Sequence, residues 1–331
     1  TAVYFGFAYI GELNFGHYGV GITLFAGLFI LILAPEFYQP LRDLGTFYHA
    51  KQQAVGAAES IVEFLETDIT KVKSGDTQLD PAQGINIEAT DLKVLSPEDV
   101  QLVDPISFTL NTRQSTALVG PSGAGKTSLI NAILGFMPYE GSLKINGIEL
   151  RDLDLASWRK TISWVGQNPL LLHGSIRDNV TLGKHDIADQ VVENALEQSF
   201  ASEFVNEHGL DYMISDRSGG LSVGQSQRLA LARAMIQDGQ FWLLDEPTAS
   251  LDTRSEQLVM KGINSNIESR TALLVTHQLA PLKSVDNILV MRDGGLVEQG
   301  HYSQLSTAGG LFEEMLNANL AQQDNKGNLD A

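Results

Sequence analysis

The stretch Gly120-Pro-Ser-Gly-Ala-Gly-Lys-Thr127 decides the fold of this chain, because it has the pattern G-x-x-x-x-G-K-[ST] in a matching context. The apolar run 115–119 before it predicts a strand, and residues 128–134 after it predict a helix. In such a unit the loop N–H groups and the helix N-terminus bind phosphate; Lys126 reaches its β- and γ-oxygens, and Thr127 ligates Mg²⁺. The predicted phosphate contacts are Gly120, Pro121, Ser122, Gly123, Ala124, Gly125, Lys126, Thr127 and Ser128.

The second candidate element is a strand predicted at residues 241–245, which ends in the carboxylates of Asp245 and Glu246. Taken alone, an Asp-Glu pair at the end of a strand is more often a solvated turn. Beside a phosphate loop, however, such a strand is buried and its terminal carboxylate orients the Mg²⁺ shell. We therefore predict that Asp245 contacts the nucleotide and the metal, and that Glu246 is the general base that polarises the attacking water.

The composition of the chain limits its size class and its partners. At roughly 150 residues per domain, 331 residues suggest about two folding units. Apolar residues make up 43% and charged residues 19%, so a sizeable core can be buried. The net charge of −18 repels backbone phosphates and therefore predicts no nucleic-acid partner. The absence of cysteine excludes disulfides, thiolate metal sites and cysteine nucleophiles.

One uncharged, apolar segment lies close to the N-terminal end. Residues 18–34 are long enough to cross a bilayer of about 30 Å as a helix, and they predict a transmembrane span. A buried core helix is the alternative, and a secretory signal fits badly because no basic segment precedes the apolar run. Residues 1–10 look like the end of a preceding span, so we expect the chain to be a fragment. Lysine and arginine after the span place that side in the cytoplasm.

Several short motifs accompany the phosphate loop in a definite order. They are Gln167, Leu221-Ser-Val-Gly-Gln-Ser-Gln-Arg228, Ser250-Leu-Asp252 and Thr276-His277. In this order they resemble the motifs of the ATP-binding cassette (ABC) family, and the resemblance covers nearly all of residues 85–320. It implies an α/β P-loop NTPase cassette with a mostly parallel sheet, an antiparallel β layer and a helical subdomain.

The resemblance and the local patterns together predict the main elements and boundaries. The expected elements are strands 115–119, 241–245 and 271–276 of the parallel sheet, strand 85–94 of the antiparallel layer, and helices near 128–134, 223–236 and 255–266. A hairpin is expected through Asn146-Gly147, a favourable two-residue turn. The expected organisation is an all-α transmembrane fragment over 1–67, a polar linker over 68–84, a nucleotide-binding domain over 85–322 and a disordered tail over 323–331.

The resemblance also implies roles that no residue pattern shows by itself. Two cassettes of this family meet head to tail, so that each ATP lies between one phosphate loop and the other subunit's signature segment. Ser222, Gly224 and Gln225 would therefore contact a γ-phosphate held by the partner, with Asp252 crossing the dimer interface. In this chain's own site, Gln167 would touch the metal and the attacking water, and His277 would hydrogen-bond the γ-phosphate.

Finer similarities point to an exporter half-transporter. Residues 167–179 resemble the exporter type of cassette, while residues 11–19, 33–50 and 163–169 resemble one subunit of the bacterial heterodimeric exporters of cysteine and glutathione that support cytochrome bd assembly. This resemblance implies a complex in the inner membrane, surrounded by lipid, with a CydC-type half-transporter as partner. The cassette would lie in the cytoplasm, and small thiols would move to the periplasm at the expense of ATP bound with Mg²⁺.

Departures from the family pattern keep alternatives open. Leu95 stands where many cassettes stack adenine on an aromatic ring, Val223 replaces the first glycine of the signature, and Asp216 replaces a glutamate. We expect this chain's own loop to serve hydrolysis, and the site completed by Val223 to be the weaker one. The alternatives are an ATP-clamping structural subunit with hydrolysis in the partner, another cargo such as haem, and a soluble cassette acting on DNA or the ribosome. The charge of −18 and the apolar segment disfavour the last.

Overall fold

The computed structural model describes residues 24–66, 74–80, 83–184, 186–215, 220–267 and 269–327. The chain divides into two compact units, Thr1–Ile69 and Thr70–Ala331.

The first unit consists, in its described part, of one helix. Helix α1 spans Leu24–Glu66 over 43 residues and contains Pro35 and Pro40. None of the helices in the described ranges combines the length and the apolar character that a membrane crossing requires. The predicted span 18–34 lies partly outside those ranges, because residues 18–23 are not described, and residues 1–10 also lie outside them.

The second unit is built on a six-stranded sheet with the order β12-β11-β3-β10-β9-β6. Its strands are β3 (Ser115–Val119), β6 (Ile162–Val165), β9 (Phe241–Asp245), β10 (Thr271–Val275), β11 (Asn287–Arg292) and β12 (Gly295–Gly300). All neighbouring pairs are parallel except β11 with β12. All five residues of β10 are buried, as expected for a parallel strand that is covered on both faces. The mostly parallel sheet and its three predicted strands are confirmed.

An antiparallel sheet with the order β2-β1-β4-β5 forms a second layer. Its strands are β1 (Ile87–Leu95), β2 (Gln101–Leu110), β4 (Tyr139–Ile145) and β5 (Ile148–Glu149). The turn between β4 and β5 has positive φ at both Asn146 (50°) and Gly147 (80°). This is the conformation that matches the twist of a two-residue hairpin, so the predicted hairpin is confirmed.

Nine further α-helices, two short 3₁₀ helices (Leu150–Asp152 and Ala280–Ser284) and one small β-pair complete the described part of the second unit. The helices are α2 (Lys126–Ile133), α3 (Leu155–Lys160), α4 (Ile176–Thr181), α5 (Asp189–Gln198), α6 (Ser202–His208), α7 (Val223–Gln237), α8 (Thr253–Ile267), α9 (Tyr302–Leu305) and α10 (Leu311–Gly327). The β-pair joins β7 (Gly174–Ser175) to β8 (Met213–Ile214). Leu229 and Ala232 of α7 share a core with Ile176 of α4, Val192 of α5 and Phe204 of α6, which forms the expected helical subdomain.

Alternate residues of the central strands enter two separate cores. On β3, Leu118 faces the core shared with the antiparallel layer, whereas Ala117 and Val119 face the core shared with α8. The strands β3, β10 and β9 are parallel neighbours and are packed on both faces. Their C-terminal ends therefore meet at one edge of the sheet.

Two boundaries differ from the sequence prediction. Helix α10 runs to Gly327, so residues 323–327 are helical rather than part of a disordered tail. Residues 74–80, assigned to a linker, are part of the second unit and pack within it: the Gly75 N–H donates to the Leu153 carbonyl at 2.9 Å, and the Asp154 N–H donates to the Thr77 carbonyl at 2.8 Å. Backbone groups make these two bonds, which no side-chain pattern indicates. The Ser74 hydroxyl also accepts from the Leu155 N–H at 3.2 Å, and Leu79 is buried in the core.

Candidate functional site

The phosphate loop connects β3 to α2. Gly125 precedes the first helical residue and has φ of 94°, a backbone conformation in which a side chain would be strained. The ammonium group of Lys126 folds back over the loop, where it donates to the Gly120 carbonyl at 2.8 Å and to the Pro121 carbonyl at 3.0 Å. Two carbonyls of the loop therefore bind the Lys126 ammonium group. When a nucleotide binds, Nζ would exchange these hydrogen bonds for bonds to phosphate oxygens.

The two predicted carboxylates lie at the C-terminal end of β9, beside β10. Asp245 is paired with Val275 in the parallel register, and the Glu246 N–H donates to the Val275 carbonyl at 2.8 Å. Glu246 has φ of 48°, a left-handed conformation that costs energy for a residue with a side chain. Such strain is typical of functional positions, and here it turns the Glu246 carboxylate toward the site instead of continuing the strand.

These elements enclose a cleft of about 600 Å³. It is lined by Leu102, Gly120, Ser122, Gly123, Ala124, Gly125, Lys126, Thr127, Ser128, Gln167, Asp245, Glu246, Val275 and His277. The structure thus brings together the predicted loop, both carboxylates, Gln167 and His277. Of the predicted loop residues, Pro121 does not line the cleft and contributes only the carbonyl that accepts from Lys126.

Burial sets the charge balance of the cleft. Desolvation lowers the pKa of Lys126, and the nearby carboxylates of Glu246 and Asp245 partly oppose that effect. Desolvation also raises the pKa of Asp245, as does the charge of Glu246, while Lys126 acts in the opposite direction. Two carboxylates and one ammonium therefore share a partly dehydrated space, and a bound cation beside Asp245 would relieve their repulsion.

His277 faces the general-base candidate. Its Nδ1 lies 3.6 Å from Oε1 of Glu246, and its side chain is 58% exposed, compared with 22% for Glu246. The His277 carbonyl accepts a hydrogen bond from the Asn319 amide on α10 at 3.3 Å. The imidazole is thus fixed at its backbone while its ring remains open to the cleft, where it can donate to a phosphate oxygen.

The predicted metal ligands fit Mg²⁺ by their chemistry. Thr127, Gln167 and Asp245 offer a hydroxyl, an amide and a carboxylate to the same cleft. Mg²⁺ prefers such hard oxygen ligands and commonly takes the rest from phosphates and water. Within the described ranges no group of three or more His, Asp or Glu residues could hold a metal ion.

The signature segment forms the start of α7 and does not line the cleft. Ser222 and Gln225 make a capping box, in which the Gln225 N–H donates to the Ser222 hydroxyl at 3.2 Å and the Ser222 N–H donates to the Gln225 side-chain carbonyl at 2.8 Å. Val223, between them, is 53% exposed. The predicted contacts of Ser222, Gly224 and Gln225 with a partner's nucleotide therefore stay a prediction.

The start of α7 packs closely on the start of α8. A Cβ atom on Gly224 would lie 2.4 Å from the Ser255 hydroxyl oxygen, so only glycine fits this approach. Asp252 caps α8, with Oδ1 accepting from the backbone of Arg254 at 3.1 Å and of Ser255 at 3.0 Å. Hydrogen bonds from Ser255, led by its side chain, lower the pKa of the Asp252 carboxyl. The crossing of a dimer interface by Asp252 stays a prediction.

The leucine that lines the cleft is not the one that the sequence suggested. Leu95 is buried and does not line the cleft, whereas Leu102 on β2 does. Leu102 lies on another sheet, 18 residues before the loop, and nothing in its local pattern pointed to the site. Asp216 lies outside the described residues.

Comparisons with known proteins agree with this geometry. Residues 103–249 match the family model described as ABC transporter. The chain is 53% identical over 318 residues to the glutathione/L-cysteine transport system ATP-binding/permease protein CydD of Escherichia coli (strain K12), covering 96% of this chain and 54% of that protein. It is 48% identical over 319 residues to the transport ATP-binding protein AarD of Providencia stuartii, with the same coverage of 96% and 54%. The chain thus spans about half the length of the curated relatives it matches.

A solved structure extends the similarity to the fold. The structure of a bacterial Atm1-family ABC exporter with ATP bound matches with a TM-score of 0.73 and 25% identity, covering 96% of this chain and 57% of that chain.

Proposed function

Because the chain belongs to the ABC transporter family, as its motifs predicted, we propose that it is the ATP-binding and hydrolysing subunit of a heterodimeric exporter. The observation that carries this proposal is the single cleft that unites the loop lysine, Gln167, both carboxylates and His277. The similarity to CydD supports cysteine and glutathione as cargo, moved from cytoplasm to periplasm in support of cytochrome bd assembly. The complex would lie in the inner membrane with the cassette in the cytoplasm.

Nucleotide binding would use the loop backbone and Lys126. Loop amides and the N-terminus of α2 would face the phosphates. The Lys126 ammonium would leave the Gly120 and Pro121 carbonyls for the β- and γ-oxygens. Thr127, Gln167 and Asp245 would hold Mg²⁺, which neutralises charge on the phosphates when bound. The lowered pKa of Lys126 and the raised pKa of Asp245 both indicate groups that gain by acquiring an opposite charge.

Hydrolysis would use Glu246 as the general base. Its backbone is held by the Val275 carbonyl, so the carboxylate has a defined position when a water approaches the γ-phosphate. His277, 3.6 Å away, would donate to the γ-phosphate and limit the movement of Glu246. The proton taken from the attacking water would reside on the Glu246 carboxylate until product leaves.

A second cassette would complete the site. The signature residues Ser222, Gly224 and Gln225 lie away from this chain's own cleft, so they are available to cap the nucleotide of another subunit. The proposed partner is a CydC-type half-transporter, whose own signature segment would cap the phosphate loop described here. Lipid would surround the spanning helices of both subunits.

The test is the substitution Glu246→Gln in the full-length heterodimer. We expect ATP turnover in inverted vesicles to fall by about 100-fold or more, because the amide cannot accept the proton. The matched control is Glu207→Gln, which removes one exposed carboxylate from α6 and should leave turnover unchanged. Unchanged turnover in Glu246→Gln would instead support the alternative of an ATP-clamping subunit with hydrolysis in the partner.

The cargo requires a separate assay. Inverted vesicles containing the wild-type complex should accumulate labelled glutathione or cysteine when ATP is added, and Glu246→Gln should abolish that uptake. ATP-dependent uptake of haem without uptake of thiols would point to the other cargo and leave the assignment of the ATP site intact.

A further inference from the structure

A buried glutamine on α7 contacts the segment that carries Gln167. Gln227 lies five residues after Ser222, and only 1% of it is exposed. Its Nε2 donates to the carbonyl of Gly166 at 2.9 Å. Gly166 follows β6 and directly precedes Gln167, so the bond restrains the peptide from which the Gln167 side chain projects into the cleft.

The same helix holds the far side of this segment. Arg233, also on α7, donates to the carbonyl of Leu170 at 3.2 Å and to that of Asn179 at 2.9 Å. Gln167 therefore lies between two tethers, at Gly166 and at Leu170, that both originate on α7. Its own side chain is exposed, so packing does not orient it and the tethered backbone must.

Stability does not account for a glutamine at position 227. Its Oε1 atom is buried and accepts no hydrogen bond from any described residue. A buried acceptor without a partner is destabilising, whereas an apolar side chain of the same shape carries no such penalty.

We propose that Gln227 is a positioning residue for Gln167, holding its backbone against the helix whose first turn is the signature segment. This inference rests on the proposed function. Ser222 and Gln227 lie about 7.5 Å apart along one helix, at 1.5 Å per residue. A shift of the start of α7 when it caps the partner's nucleotide would thus reach the Gly166 carbonyl directly, and would move Gln167 in this chain's own cleft.

The experiment is Gln227→Met in the full-length heterodimer, which keeps the length of the side chain and removes the donor. We expect the melting temperature to stay the same or rise. We expect kcat for ATP hydrolysis to fall about tenfold with little change in KM for ATP, and the Mg²⁺ concentration for half-maximal activity to increase. The required Mg²⁺ concentration should increase because Gln167, the predicted metal contact, would lose its position.

The matched control is Thr271→Val. The Thr271 hydroxyl donates to the Ile85 carbonyl at 2.6 Å, so the variant also removes a buried bond from a side chain to a backbone carbonyl. It removes in addition the bond that this hydroxyl accepts from the Arg113 N–H at 3.0 Å. Thr271 begins β10, at the end of the strand opposite the cleft. This variant should lower the melting temperature and leave the Mg²⁺ dependence unchanged.

A double substitution distinguishes positioning from a general structural role. If Gln227 acts through Gln167, then Gln227→Met should cost little further activity in a Gln167→Ala background. Full additivity, an unchanged kcat in Gln227→Met, or a lower melting temperature with unaltered Mg²⁺ dependence would each overturn the inference. An inactive wild-type heterodimer would instead refute the proposed function, so the two failures are distinguishable.

Discussion

The phosphate cleft and the start of α7 are both polar sites in the same domain, but they differ in how their groups are satisfied. In the cleft, Lys126 and Asp245 have pKa values shifted by burial, and Glu246 occupies a left-handed backbone conformation. At the start of α7, Ser222 and Gln225 satisfy each other in a capping box. The cleft holds groups that a ligand would relieve, whereas the capping box of Ser222 and Gln225 is internally complete.

The two regions are therefore prepared for a ligand to different degrees. A site with desolvated charges and backbone strain is ready for a specific ligand, because binding compensates those costs. A capped helix start with an exposed side chain at Val223 has no such deficit and offers mainly backbone N–H groups to an approaching anion. On the proposed function, the cleft would form the main part of one ATP site, and the start of α7 would be the capping surface for another.

The largest expected effect is in the cleft. Lys126→Ala should lower ATP turnover of the full-length heterodimer by about 100-fold or more, because it removes the positive charge that stabilises the transferred phosphoryl group. ATP hydrolysis and nucleotide affinity are the measurements. Lys144→Ala, an exposed lysine on β4, is the control and should have no effect. Wild-type turnover in Lys126→Ala would remove the contrast between the two regions.

An intermediate effect is expected where α7 meets α8. Gly224→Ala places a Cβ 2.4 Å from the Ser255 hydroxyl oxygen and 2.7 Å from the Ser255 Cβ. Overpacking of this kind destabilises by about 1–3 kcal/mol, and we expect turnover at the partner's site to fall about fivefold to tenfold. Thermal unfolding and ATPase assays measure the two effects.

The second-site variant Ser255→Gly removes both clashing atoms. The pair Gly224→Ala with Ser255→Gly should therefore recover most of the lost stability, more than the sum of the single effects allows. If the pair is merely additive, the clash is not the cause, and the signature segment is less tightly built than its geometry indicates.

The smallest expected effect is at Val223. Val223→Gly should raise turnover at the partner's site about two- to threefold, because a smaller residue lets the γ-phosphate approach the helix start more closely. Its cost in helix stability should stay near 1 kcal/mol or less. Val191→Gly, an exposed valine in the first turn of α5, is the matched control for that cost. A drop in turnover in Val223→Gly would show that the valine contributes to the capping surface.

Motifs with a local physical basis were predictable from sequence. The phosphate loop, the strand ending in Asp245 and Glu246, and the hairpin at Asn146-Gly147 each depend on neighbouring residues, and each lies where the pattern indicated. Leu102 was not predictable, because it reaches the cleft from a different sheet. The docking of residues 74–80 was missed for a related reason, since backbone hydrogen bonds have no side-chain pattern.

The amino-acid sequence was enough to predict which groups would carry the proposed chemistry, because residue type and spacing along the chain suggest the roles of Lys126, Thr127 and the two carboxylates. Only the folded domain showed that these groups share a cleft and that burial lowers the pKa of Lys126 and raises that of Asp245. It also revealed the bond from Gln227 to the backbone before Gln167. Burial and contact between distant segments depend on how layers pack, and that packing is a property of the whole domain rather than of any local stretch.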